Sequence, residues 1–163
     1  MKNFKYILIF SLSFLGCKAQ EKPTQFSEVA LNDTFITLEG ESITFKAILE
    51  TNKGKTTIVD IWASWCSDCI KGMPKVKKLQ ENYPDAAYVF LSLDKTQDAW
   101  KNGIEKYGVN GQNYFMQSGW KGAFGNFVQL DWIPRYMVID QNGNIKLFKA
   151  IEADDEQLIT ILK

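Results

Sequence analysis

From residue 35 onward, short dense apolar runs alternate with longer stretches of helical period, and turn residues separate them. Phe35-Ile36-Thr37-Leu38 and Ser42-Ile43-Thr44-Phe45 flank Glu39-Gly40-Glu41, which predicts a hairpin. Thr56 to Trp62 is rich in β-branched residues and almost unbroken in apolarity, the pattern of a strand buried on both faces, with Asp60 as the polar exception. A helix is predicted from the cysteines at 66 and 69 to about Tyr83, bent where Pro74 removes an amide donor. Ala87 to Leu93 is a second buried strand. Asp98 to Tyr107 reads as a helix closed by Gly108, and Lys121 to Leu130 as a weaker, glycine-interrupted one. Tyr136-Met137-Val138-Ile139 and Ile145-Lys146-Leu147-Phe148 flank Asp140-Gln141-Asn142-Gly143-Asn144, a second hairpin. Asp154 or Asp155 can cap a last helix carrying Leu158, Ile159 and Leu162 at helical spacing. Buried strands alternating with helices indicate an α/β sandwich with a partly parallel sheet. The chain has no internal repeat and no low-complexity tract.

The amino-terminal stretch has a different pattern. Lys2 and Lys5 precede the apolar run Tyr6 to Leu15 and the small residue Gly16, the layout of a secretory signal peptide over residues 1–16. The run is about ten residues where a spanning helix needs roughly twenty, which argues against a permanent transmembrane segment. Phe14-Leu15-Gly16-Cys17 resembles a bacterial lipobox, although leucine is more usual where Phe14 stands. That resemblance implies lipidation at Cys17 and accounts for a third, unpaired cysteine, which otherwise needs an intermolecular partner or a reason to stay free. Residues 17–31 are then expected as a lipidated tether, polar and without period, and 32–163 as the folded domain. The chain is placed in the bacterial cell envelope, exported, lipid-anchored and facing the periplasm.

Composition narrows the chemistry further. Its 163 residues are enough for one domain, and hydrophobic residues at 45% with charged residues at 23% are typical of a globular one. Nineteen basic side chains balance nineteen acidic ones without a block of either sign, so no footprint for nucleic acid appears. The absence of histidine removes histidine-ligated metal sites and imidazole bases.

Trp65-Cys66-Ser67-Asp68-Cys69 places a Cys-x-x-Cys pair directly after a buried strand and at the start of a helix. Free amide donors and positive dipole charge at a helix amino terminus stabilise a thiolate, bringing its pKa from ~8.5 toward ~3.5 to 7.5. Cys66 is therefore the expected nucleophile. Cys69, one turn deeper and shielded by the helix and Trp65, resolves a mixed disulfide. Two other readings of the pair are half a zinc site and a structural disulfide. Zinc needs two further ligands, and the chain offers no histidine and no second cysteine pair. A structural bridge over three residues removes little unfolded-state entropy. No metal and no cofactor beyond the redox-active pair itself is expected.

Val59-Asp60-Ile61-Trp62-Ala63-Ser64-Trp65-Cys66-Ser67-Asp68-Cys69, Met73-Pro74 and Ile133-Pro134 together resemble the thioredoxin superfamily. The signal peptide, the lipobox and the aromatic-rich insert before Ile133 resemble its membrane-anchored TlpA/ResA-type branch. The resemblance covers about Thr34 to Lys163. It implies a central mixed sheet flanked by helices, with the first hairpin as an amino-terminal addition. It also implies a cis Ile133–Pro134 bond, with Pro134 against the disulfide and the Ile133 backbone pairing with a substrate chain. Asp60 resembles the buried acid beneath the second cysteine that accepts its proton, so a raised pKa is expected there. Gly72 departs from the pattern, since relatives often carry a glutamate at that place. Asp68 either raises the thiol pKa values or is a solvated helix residue. The aromatics Trp100, Tyr107, Tyr114, Phe115, Trp120, Phe124, Phe127 and Trp132 are core residues or walls of a partner groove, with Trp132 favoured for the groove together with Trp65.

The resemblance implies a thiol-disulfide oxidoreductase that reduces exported proteins, such as apocytochrome c, and is recharged by a membrane electron donor. A thiol peroxidase and a non-catalytic assembly module are the competing readings. Trp65-Cys66 lacks the threonine and proline that usually precede a peroxidatic cysteine, and intact Cys66, Cys69, Asp60 and Pro134 argue against the second.

Overall fold

The structure is a computed structural model that describes residues 22–163. The expected signal peptide and Cys17 lie outside the described residues. Seven strands form one sheet: β1 (Thr34–Ile36), β2 (Ser42–Thr44), β3 (Thr57–Trp62), β4 (Ala87–Ser92), β5 (Gln112–Phe115), β6 (Arg135–Ile139) and β7 (Ile145–Ala150). Their order across the sheet is β2-β1-β5-β4-β3-β6-β7. β3, β4 and β5 run parallel, and the remaining pairs are antiparallel. The helices are α1 (Glu28–Leu31), α2 (Phe45–Thr51), α3 (Ser67–Asn82), α4 (Gln97–Tyr107), α5 (Ala123–Phe127) and α6 (Glu156–Leu162). This is the thioredoxin-like sandwich with an added β1–β2 hairpin.

Every residue of β3, β4 and β6 is buried, which is why these segments read as continuous apolar runs. The parallel strands need crossover connections, supplied by α3 and α4. α3 buries Cys69, Met73, Val76 and Leu79, one stripe at helical spacing. α4 stops at Gly108, whose φ of 63° is left-handed and favours glycine. At the edge, β7 turns Lys146 and Lys149 to solvent, which discourages strand addition there. Asp155 is the cap of α6, accepting from the amides of Gln157 (2.8 Å) and Leu158 (3.3 Å).

Four segments differ from the sequence reading. Phe45, expected to end a strand, opens α2, because Thr44 caps it by accepting from the Ala47 amide at 3.2 Å. β5 was not expected, since Gln112 and Asn113 break its apolar character. Its polar side chains find partners nearby: Gln112 and Asn52 exchange hydrogen bonds at 2.7 and 2.9 Å, and the Asn113 side-chain amide donates to the Gly111 carbonyl at 3.0 Å. The 121–130 helix is only α5, preceded by a 3-10 turn at Gly119–Lys121. Its amino end is closed by a remote group, the Asp33 carboxylate, which accepts from the Phe124 amide at 2.8 Å. The described part of the expected tether is also corrected. The Thr24 carbonyl accepts from the Ile145 amide at 2.7 Å, Phe26 is buried, and Ser27 caps α1, so residues 24–31 belong to the packed domain.

Candidate active site

β3 ends at Trp62, and Ala63, Ser64 and Trp65 lead into α3. Asp94, just past β4, holds this link by accepting from the Ser64 amide (3.1 Å) and the Ser64 hydroxyl (2.6 Å). It also accepts from the Ser92 hydroxyl at 2.8 Å. Cys66 is the N-cap of α3, and its Sγ accepts from the Cys69 amide at 3.1 Å. A sulfur so placed meets the positive end of the helix dipole, which favours its thiolate when the bond to Cys69 is opened.

Cys66 and Cys69 are joined by a disulfide, with Cα atoms 5.3 Å apart. The two sulfurs are unequal. Cys66 is 6% exposed and lines a groove of about 390 Å³, whereas Cys69 is 1% exposed and does not reach it. Trp65, Trp120, Trp132 and Ile133 form the apolar walls of the groove, and Asp68 and Asp131 add carboxylates. Trp65 and Trp132 are 54% and 59% exposed, an uncommon placement for large aromatics unless a partner covers them. The Ile133–Pro134 bond is cis, and the Ile133 carbonyl stands 3.7 Å from Cys66 Sγ.

The other aromatics have core positions. Trp100, Phe124 and Tyr114 are buried, and Tyr107, Phe115 and Phe127 pack against the core, so only Trp120 and Trp132 of the eight reach the groove. Asp68 forms an exposed pair with Lys71 at 3.7 Å, which fits the solvated reading.

The groove loop is pinned from behind. Arg135 is fully buried, donates to the Val128 carbonyl at 2.9 Å and pairs with Asp131, which also meets Lys149 at 3.2 Å. Lys149 foremost, with Arg135, holds the Asp131 carboxyl below the usual carboxylate range.

Asp60 is buried in β3, and neither of its oxygens has a hydrogen-bond partner among the described residues. Burial pushes its pKa up to about 8. The Tyr136 hydroxyl, facing it from β6, offsets part of that rise without forming a hydrogen bond of normal length. Tyr136 also reaches toward Gly72, one turn along α3 from Cys69, so the tyrosine that faces Asp60 across the sheet also meets the helix of the deeper cysteine.

Asp94, Arg135, Asp131 and Tyr136 were not singled out from the sequence. A polar residue just past a buried run marks Asp94, and a charge directly after Pro134 marks Arg135, although neither signal names a partner. A second depression, about 540 Å³, lies by Gly54, Lys55, Tyr83, Pro84 and Leu162, at the opposite ends of β3 and β4 from the cysteines.

A mixed sheet with a Cys-x-x-Cys disulfide at the helix following its first parallel strand, beside a cis-proline loop, defines a thiol-disulfide oxidoreductase of thioredoxin fold. The profile of the thioredoxin-like family matches residues 54–145, and the chain belongs to that family. It is 28% identical over 171 residues to the thiol-disulfide oxidoreductase ResA of Bacillus anthracis, covering 98% of this chain and 94% of the relative. It is 30% identical over 149 residues to a ResA of Bacillus cereus, covering 89% and 81%. Among solved structures, the thioredoxin domain of a thiol-disulfide oxidoreductase from Bacteroides vulgatus superposes with a TM-score of 0.67 at 26% identity, covering 82% and 93%. The chain is a thiol-disulfide oxidoreductase of the ResA type, with Cys66–Cys69 as its active-site disulfide.

Proposed function

We propose that the protein reduces disulfides of exported proteins, apocytochrome c awaiting haem among them, from the periplasmic face of a membrane to which Cys17 anchors it. In this reading the reduced protein presents Cys66 as a thiolate in the tryptophan groove. Cys66 attacks one sulfur of the partner's disulfide, the partner's S–S bond breaks, and its other sulfur leaves as a thiolate. Cys69 then gives its proton to Asp60 and attacks Cys66 Sγ, forming the Cys66–Cys69 disulfide and releasing the second partner thiolate. Two electrons have passed to the partner. A dithiol donor at the membrane returns them.

The observation that carries the reading is the inequality of the sulfurs, with Cys66 open to an aromatic groove and Cys69 shut away from it. The cis bond to Pro134 turns the Ile133 carbonyl to within 3.7 Å of Cys66 Sγ, and in this reading the Ile133 backbone pairs with a partner chain while Trp65 and Trp132 cover it. The signal-like residues 1–16 and the lipobox-like end at Cys17 support the location, and residues 17–23 remain as tether. Among the described residues no helix is long and apolar enough to cross a membrane.

Cys69→Ser is expected to accumulate a mixed disulfide with the natural partner, and Cys66→Ser to trap nothing. Equal trapping by both variants, or by neither, contradicts the assignment of roles. Equilibration with dithiothreitol or glutathione gives the direction. Thioredoxin lies at about −270 mV and DsbA at about −120 mV, so a value above roughly −150 mV makes the protein an oxidase instead.

A further inference from the structure

A carboxyl sealed in a sheet needs a hydrogen-bond donor when it ionises, because an unpaired buried charge is strongly disfavoured. Among the described residues, Tyr136 is the hydroxyl that faces Asp60. Asp60 pairs with it in the β3–β6 register, so the two side chains project to the same face. On its other side, β4 offers only Phe90. Tyr136 is itself buried, and its hydroxyl lies in a notch of α3, where a Cβ added at Gly72 would stand 3.6 Å away. Position 72 is one turn from Cys69 and one turn from Lys75 on the same helix face. The hydroxyl therefore stands between the strand face of Asp60 and the helix face of the deeper cysteine. Farther out, Lys75 binds Glu152 at 2.8 Å and Asp154 at 3.0 Å in an exposed cluster.

We propose that Tyr136 is a positioning residue for proton transfer at Asp60, donating to the carboxylate when it forms and passing its proton along the Gly72 notch toward the Lys75–Glu152–Asp154 cluster. The proposal rests on Asp60 accepting the Cys69 proton. Cys69 S–H and the Asp60 carboxylate become thiolate and carboxylic acid. The acid gives its proton to the Tyr136 oxygen as the hydroxyl releases its own to solvent water at the cluster. Asp60 ends ionised, Tyr136 ends neutral, and water holds the proton. Burial together with the carboxylates of Asp60, Glu152 and Asp154 raises the tyrosine's own pKa, so it relays without ionising.

The test needs no natural partner. Cys66 of the full chain is loaded with 5-thio-2-nitrobenzoate, and attack by Cys69 releases the coloured thiolate in a single turnover, whatever the physiological direction. Tyr136→Phe keeps the ring and removes the donor. Its expected effect is an upward move of about one pH unit in the release profile, a tenfold change in proton affinity. Carbon NMR of the Asp60 carboxyl in the reduced protein is expected to show the same move. Gly72→Val, which crowds the hydroxyl from the helix side, should shift both in the same direction, covering the case in which Tyr136→Phe fails to fold. If Asp60→Asn slows release while both variants leave the Asp60 midpoint and the profile unmoved, the tyrosine assignment fails and Asp60 keeps its role. If Asp60→Asn has no effect on release, both fail.

Discussion

Asp60 makes the stability of the domain depend on pH, because its carboxyl titrates near 3.8 when exposed and at about 8 when buried. Between those values the folded state holds a proton that the unfolded state has lost, so stability falls as pH rises through about 4 to 8 and is then level. Asp60→Asn removes the charged form. It is expected to stabilise the domain at pH 9 by an amount on the order of a few kcal/mol and to change little at pH 4, read from urea denaturation at both. An unchanged difference between the two pH values removes the raised pKa from the account. Asp60 was legible in the sequence because a lone acid inside an apolar strand has few innocent explanations. Asp94 and Arg135 were not, since their meaning lies in Ser64 and Val128, partners that only folding brings to them.

At the scale of elements, the amino-terminal segment is fastened by aromatic packing. Phe26 meets Phe45, Phe127 and Phe124 with ring centroids 4.9, 5.3 and 6.2 Å apart. Phe26→Ala is expected to cost about 3 kcal/mol by denaturation, through lost burial and the cavity left behind. The rate at which dithiothreitol opens Cys66–Cys69 should stay unchanged, because Phe26 does not line the cysteine groove. A loss near zero would return residues 24–31 to the tether. α3 and β3 were legible because their apolar periods are long and their termini carry clear signals. α2, α5 and β5 were not. They are short, and each depends on a hydrogen-bonding side chain whose partner sequence periodicity does not reveal: Thr44 on the Ala47 amide, Asp33 on the Phe124 amide, and Asn52 with Gln112.

For the whole molecule, the proposed anchor at Cys17 and the cysteine groove are separate devices, and they are tested separately. Cys17→Ala is expected to abolish palmitate labelling and to move the protein from the membrane to the soluble fraction, since acyl chains contribute ~0.8 kcal/mol per buried methylene. Wild type without label sinks the lipoprotein proposal and leaves the redox chemistry intact. The placement of the groove follows from the topology. β3 is parallel to β4 and antiparallel to β6, so its carboxyl end, where the cysteines begin, lies beside the start of β6, where the Ile133–Pro134 loop arrives.

The sequence by itself determined the α/β class, the redox pair and its helix terminus, the late proline and the buried acid. These depend on local spacing and on residue types that are chemically unusual where they stand. Tertiary structure alone decided that Trp120 lines the groove while Trp100 is core, what pins the groove loop, and what Asp60 sees. Trp100 and Trp120 are the same side chain, and only the packing of α4 in the core and of the 3-10 turn at the groove separates them. The approach of the Tyr136 hydroxyl to Gly72 brings together residues 64 positions apart, and no period along the chain encodes a distance closed by folding a helix onto a sheet.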